Sequence, residues 1–248
     1  MNKIRPLTNI ILSLALIVLV IPIGQTTAQP TPTIQGEILW QQTNGPYGGI
    51  VGTFAVNAAG DLFAGTLDNG VFRSSNNGES WTQINDALSD LAVLALAVNS
   101  AGDLFAGTWR GGVFRSTNNG DTWTPINTGL TYPLVLTLAV NRNGDLFAGT
   151  DGGGIFRSTN NGDSWTMVNT GLSNLRVSCL TRNTSGHLFA GTLGGGVFRS
   201  TNNGDAWTPI NTGLTNTFVY SLAVDATGYL FAGTGGSGVF RTVAPTQP

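Results

Sequence analysis

Residues 104–126 read Leu104-Phe-Ala-Gly-Thr-Trp-Arg-Gly-Gly-Val-Phe-Arg-Ser-Thr-Asn-Asn-Gly-Asp-Thr-Trp-Thr-Pro-Ile126, and this stretch decides the fold. Two short β-forming runs, Leu104 to Thr108 and Val113 to Ser116, are parted by a glycine-rich loop. An Asn-Asn-Gly turn then leads into a third run, Trp123 to Ile126. Just upstream, Val93 to Asn99 has the pattern of another strand and closes at a Gly102-Asp103 turn. Short β-rich runs bounded by Gly, Asn and Asp are hairpin grammar, and no segment carries a sustained helical period. The stretch therefore predicts four antiparallel strands in succession.

The unit recurs. Leu-Phe-Ala-Gly-Thr begins at Leu62, Leu104, Leu146, Leu188 and Leu230, a spacing of 42 residues. Gly-Val/Ile-Phe-Arg follows in register at Gly70, Gly112, Gly154, Gly196 and Gly238. Segments 104–145 and 188–229 agree at 30 of 42 positions, which makes this a tandem array. Four strands in a unit of about 40–45 residues is the signature of a propeller blade, whereas solenoid repeats are shorter and carry fewer strands. Strands one to three occur five times, starting at Val51, Val93, Val135, Val177 and Val219. Strand four occurs four times, at Trp81, Trp123, Trp165 and Trp207, and Ile38-Leu39-Trp40-Gln41-Gln42 supplies the expected fifth copy. The expected fold is all-β: a five-bladed propeller over residues 37–242, its ring closed by the N-terminal strand, with 243–248 as a tail.

Ahead of the array, Lys3 and Arg5 precede an apolar stretch from Ile10 to Ile23, interrupted by Ser13 and Pro22. About 14 residues is short for a membrane span, which takes roughly 20. With the small residues Thr26-Thr27-Ala28 at its end, 1–28 reads as a secretory signal, and 29–36 as an extended linker. The expectation is export to the periplasm or medium, with no stable membrane insertion once the signal is removed. Beyond residue 28 the chain has nine arginines, no lysine and thirteen carboxylates, a net charge of −4. A nucleic-acid partner is excluded, because phosphate needs a basic surface. Cys179 is the only cysteine and forms no intrachain disulfide, so packing has to hold the exported domain. A monomer is expected.

Between strands three and four stands Ser74-Ser-Asn-Asn-Gly-Glu-Ser-Trp81, repeated at Ser116 to Trp123, Ser158 to Trp165 and Ser200 to Trp207. These segments resemble the Asp-box, or bacterial neuraminidase repeat, Ser-x-Asp-x-Gly-x-Thr-Trp. The chain is thus similar to propellers of the sialidase superfamily, of the sortilin type and of the photosystem II assembly-factor type. Asparagine replaces the family's aspartate at Asn76, Asn118, Asn160 and Asn202. It still bonds a turn backbone and tolerates left-handed conformations, but it removes the charge a cation would seek. The box positions Ser74, Gly78 and Trp81, with Ser116, Gly120, Trp123, Ser158, Gly162, Trp165, Ser200, Gly204 and Trp207, read as structural. A buried Trp covers roughly 150–250 Å², or about 4–6 kcal/mol at most. In the families resembled, the box lies away from the active site, so the likeness implies fold and not activity.

Kinship with sialidases would imply an arginine triad, a tyrosine nucleophile, a glutamate and an acid/base aspartate. Here Arg73, Arg115, Arg157, Arg199 and Arg241 are one repeated position, and Glu37 and Glu79 are the only glutamates. Asp61, Asp103 and Asp145 form one turn column and Asp121, Asp163 and Asp205 another, so no pair flanks a glycosidic bond. His187 falls in the first of these turn columns, and one histidine with a distant cysteine builds no zinc site. Cys179 shares a small-residue column with Thr53, Ala95, Thr137 and Ser221. No catalytic residue, metal or cofactor is expected.

A selective binder needs residues that break the repeat, and these gather on the face shared by the strand-two-to-three loops and the blade connections. Tyr47, Trp109, Arg110, Tyr132, Arg176 and Phe218 are the candidate contacts, since aromatics and arginine dominate binding hot spots. The leading expectation is a non-catalytic module that binds a protein through this face. A lectin with repeated equivalent sites comes second, and a sialidase-like or xyloglucan-hydrolase-like glycosidase third.

Overall fold

The computed structural model describes residues 39–47 and 49–246. The signal 1–28, the linker 29–36, and Glu37 and Ile38 at the start of the expected closing strand lie outside the described residues. Among the described residues there are nineteen strands and no helix, arranged as five antiparallel sheets, the blades of a propeller. The innermost strands are Val51–Val56, Val93–Val98, Val135–Val140, Val177–Arg182 and Val219–Val224. Second strands run Leu62–Thr66, Leu104–Thr108, Leu146–Thr150, Leu188–Thr192 and Leu230–Thr234. Third strands are Val71–Ser74, Val113–Ser116, Ile155–Ser158, Gly196–Ser200 and Gly238–Arg241. The outer strands shrink to two residues each: Thr82–Gln83, Thr124–Pro125, Thr166–Met167 and Thr208–Pro209. Each sheet is a simple meander, and the fifth has three strands among the described residues.

The second strand sits in mid-sheet, with a neighbouring blade on each side, so Leu-Phe-Ala-Gly-Thr is apolar throughout instead of alternating. Its glycine sets the spacing between blades. A Cβ at Gly107 would stand 2.6 Å from Cγ1 of Val135, the first residue of the next blade's inner strand. Gly65 meets Val93, Gly149 meets Val177 and Gly191 meets Val219 in the same way. The core accordingly lies at the junctions. One apolar cluster joins Phe63, Val71, Ile84 and Leu88 of blade 1 to Val93, Leu104, Phe114 and Trp123 of blade 2. Equivalent clusters join blades 2 to 3 and 3 to 4, and a smaller one without a tryptophan joins 4 to 5.

The box turn locks the same junctions. Ser116 Oγ accepts from Gly120 N at 2.9 Å and donates to Asn118 Oδ1, which also accepts from Thr122 N at 3.0 Å. Asn118 Nδ2 donates to the Thr122 hydroxyl at 2.9 Å. Asn119 and Gly120 carry the turn through left-handed φ of 61° and 90°. The reversal drives Trp123 under blade 1, where its indole donates to Ile84 O at 2.7 Å. Trp165 reaches Ile126 O and Trp207 reaches Val168 O likewise. The Arg73 guanidinium crosses to Asp121 and to Asn119 O of the next box, and Arg115 and Arg157 repeat this one and two blades on. At these three of its five positions the repeated arginine is a strut between blades.

At the start of the array, Asn44 bridges Ser80 in parallel, while Leu39 to Gln42 form no strand. The inner strands of blades 1 and 5 do not make the close packing that joins every other consecutive pair.

Gly107→Ala is expected to lower stability by about 1–3 kcal/mol, because the methyl meets a fixed valine in a close-packed junction. Gly233→Ala, in the same column, faces only the side chain of Ser221 and should cost less. Thermal melts of both variants against the parent check the order.

Candidate functional site

The face expected to bind is a hydrogen-bonded rim. Each strand-two-to-three loop is tied to its own inner strand's lead-in, as in Trp109 N to Ala92 O at 3.0 Å and Leu193 N to Arg176 O at 2.9 Å. In the first four blades it is tied as well to the lead-in of the following blade, as in Gly112 N to Pro133 O, Gly154 N to Leu175 O and Gly196 N to Thr217 O. The rim is therefore continuous from blade to blade, and its loops are held on rigid strands.

Part of its irregularity is structural. Asp90, Tyr132, Asn174 and Asn216 are one repeat column, each folded over a glycine loop. Asp90 accepts from Ala92 N, Arg110 N and Gly111 N, so its carboxylate caps the turn. Asn174 and Asn216 accept from Arg176 N and Phe218 N in the same fashion. Tyr132 caps by shape: its ring lies so close over Gly153 that any Cβ there would collide with it.

The six candidate residues sort accordingly. Trp109 is half-buried and Arg110 exposed, and the Gly112–Pro133 bond sets their loop beside the Tyr132-Pro133 connection. Arg176 forms an ion pair with Asp151 at 2.6 Å, across the junction of blades 3 and 4. Phe218 bridges Leu193 across the next junction and stays 50% exposed. Tyr47 is apart from these, its hydroxyl donating to Asn44 Oδ1 on its own segment. Trp109, Arg110 and Tyr132 thus form one group, with Arg176 and Phe218 spaced around the same rim. The sequence reading missed Ile50, Leu91 and Leu175, which are exposed in this rim. Their signal was available: they lie one or two residues ahead of the valine that opens each inner strand.

The opposite face is occupied by its own turns. Asn57 Nδ2 donates to Asn119 Oδ1 of the next blade and Asn119 Nδ2 returns to Asp61 Oδ2, a pattern repeated at Asn99 and Asn141. A shallow depression of about 310 Å³ at Arg182, Asn183, Thr184, Val224 and Asp225 offers a single carboxylate. The Thr227 hydroxyl, opposed in part by desolvation and aided by turn N–H groups, holds Asp225 below the usual carboxylate range. His187 donates its backbone N–H to Asn183, and among the described residues no three of His, Cys, Asp and Glu converge as metal ligands. Cys179 packs against Gly191, and burial pushes its thiol up to about 12.

Meandering blades around repeated inner strands, carrying an aromatic rim and box turns, define a β-propeller. The chain belongs to the DUF6242 β-propeller family, whose domain model matches residues 35–169. No curated protein matches it in sequence. Solved structures share the fold. The extracellular domain of the one-component system BT4673 from B. thetaiotaomicron is 18% identical with a TM-score of 0.68, over 81% of this chain and 28% of that one. An ancestral GH74 enzyme is 24% identical with a TM-score of 0.62, over 79% and 29%. YCF48 bound to D1 peptide is 15% identical with a TM-score of 0.66, over 81% and 67%. The chain spans less than a third of the length of the first two. No helix among the described residues is long and apolar enough to cross a membrane.

Because the folded thiol of Cys179 titrates above the unfolded one, this group leaves the domain's stability unchanged below pH about 9. Stability falls as pH rises from there toward 12, since the unfolded chain releases the proton first. Urea titrations at pH about 7 and about 10.5 should differ by about 2 kcal/mol more for the parent than for Cys179→Ser.

Proposed function

We propose that the chain is an exported, non-catalytic binding module whose rim takes a protein partner in the form of an extended segment. The observation that carries this reading is the distribution of exposed apolar side chains. Ile50, Leu91, Tyr132, Leu175 and Phe218 are 38–52% exposed, and all lie within three consecutive repeat columns on one face. Scattered apolar residues need no explanation, but a contiguous set on one rim marks an interaction surface. Trp109 and Arg110 beside Tyr132 supply the aromatic and guanidinium groups on which hot spots are built. Among the structural neighbours, YCF48 is seen with a D1 peptide, and the B. thetaiotaomicron domains are extracellular. The signal-like residues 1–28 agree with export.

The lectin reading loses support from the junctions. Arg73, Arg115 and Arg157, together with the asparagines at 119, 161 and 203, are spent on bonds between blades. The glycosidase reading, third among the sequence expectations and matched in fold by the GH74 neighbours, loses support because Asp121, Asp163, Asp205 and Asp151 each hold an arginine and Asp90 caps a glycine loop.

A glycan array with no hit, followed by capture of a partner from extracellular extract, is the expected outcome. The Trp109→Ala/Tyr132→Ala double variant should weaken that capture on the order of tenfold or more while staying folded. Several equivalent glycan sites by calorimetry would support the lectin instead, and hydrolysis of any glycan would end the non-catalytic reading.

A further inference from the structure

The free sides of blades 1 and 5 carry opposite halves of the junction that recurs between the other blades. On the blade 5 side, Gly233 has no valine from a following blade within 4 Å, unlike the other four glycines of its column. Val239 is 71% exposed, where Val71, Val113, Ile155 and Val197 are 0–3% exposed. Ile210 and Leu214 are only partly buried, whereas Ile84, Leu88, Ile126, Leu130, Val168 and Leu172 are buried beneath a tryptophan. Gly213 has nothing within 4 Å, although Gly129 and Gly171 lie against the backbones of Trp165 and Trp207. Among the described residues no tryptophan covers Ile210 and Leu214.

The blade 1 side has the complement. Trp40 is 95% exposed and Leu39 70%. Thr43 lies against Gly78 as Ile84 lies against Gly120 and Ile126 against Gly162. That register puts Trp40 three residues ahead of Thr43, as Trp81 stands three ahead of Ile84. Trp81 Nε1 is buried without an acceptor, and Phe54 and Val56 on the same side are exposed. Glu79 occupies the column of Asp121, Asp163 and Asp205, and among the described residues neither it nor Arg241 has an ion pair.

We infer that these two sides join between two copies of the chain, head to tail, with Trp40 of one copy seated on Ile210 and Leu214 of the other. The sequence alone suggests that the same segment closes the ring within one chain. Among the described residues, however, the inner strands of blades 1 and 5 lack the packing that joins the other four pairs, and Val51 does not lie against Gly233. A second copy satisfies both sides without altering any junction, through a heterologous interface. Residues Leu39 to Gln42 then add to strand Gly238–Arg241 as an outer strand. By the register of Arg73 with Thr82 and Phe72 with Gln83, Gln41 pairs with Arg241 and Gln42 with Phe240.

The test uses the full chain with Cys179→Ser and the pair Gln41→Cys and Arg241→Cys, oxidised mildly. Disulfide-linked dimers and higher multiples are expected. An equimolar mixture of the two single-cysteine chains should give the mixed dimer, and Trp40→Ala should reduce its yield about tenfold. A monomer cross-linked within itself would overturn the inference in favour of ring closure in one chain, and absence of any cross-link would overturn it outright. Sedimentation of the unaltered chain guards against a folding defect in the variants. Its mass should rise with concentration, and a monomer mass throughout would overturn the inference.

Discussion

The contact between a blade's opening valine and the glycine in the middle of the preceding blade's second strand sets every other dimension of this propeller. With no side chain at Gly65, Gly107, Gly149 or Gly191, one sheet stands close enough to the next for a tryptophan to bridge them. The indole then reaches a backbone carbonyl one blade back at 2.7–2.9 Å and closes the apolar cluster beneath it. The Arg–Asp struts span the same gap but rank lower. Their aspartates are 60–64% exposed, and an ion pair in that setting contributes about 0–1 kcal/mol. A buried tryptophan contributes several times as much. The junctions are therefore apolar in energy and polar mainly in register.

The fold was legible because the repeat states each local rule several times over. Second and third strands begin and end almost where the composition places them: Leu104–Thr108 and Val113–Ser116 match without adjustment. The fourth strand is the exception. Trp123 to Ile126 reads as a full strand, yet only Thr124–Pro125 pair, because Trp123 turns out of the ladder to serve the neighbouring blade. A tandem array conceals such contacts. A bond from Asn57 to Asn119 joins one unit to the next, and in the sequence it cannot be told from a bond within a unit, since each column holds the same residue type. The substitution of asparagine for aspartate in the box was visible, but the bonds its amide makes to the hydroxyls of Ser80, Thr122 and Ser164 in three of the four boxes needed coordinates.

The candidate site was less legible for a related reason. Departures from the repeat gather on the same face as the exposed apolar side chains, but they mix two kinds of residue. Asp90 and Asn174 depart from the pattern and nevertheless serve the backbone, satisfying N–H groups of glycine loops and lead-ins. Leu91 and Leu175 look ordinary beside buried valines and nevertheless face solvent. Irregularity in sequence marks where a blade's local needs differ; exposure of an apolar side chain marks where a need is left unmet. Only the second points to a partner.

The same distinction governs the charged residues. Arg73, Arg115 and Arg157, with Asp121, Asp163 and Asp205, acquire partners because a next blade is present to supply them. A side chain in such a column has no function of its own; it is one half of a junction, and its chemistry is complete only when the other half arrives. Arg241 and Glu79 hold these halves at opposite sides of the array, and Arg241 rests over the ring of Tyr229 in the interim. Repetition therefore constrains function in two ways. It commits the box and turn columns to holding blades together, and it leaves on the outer sides of blades 1 and 5 residues of the same columns that the other junctions bury.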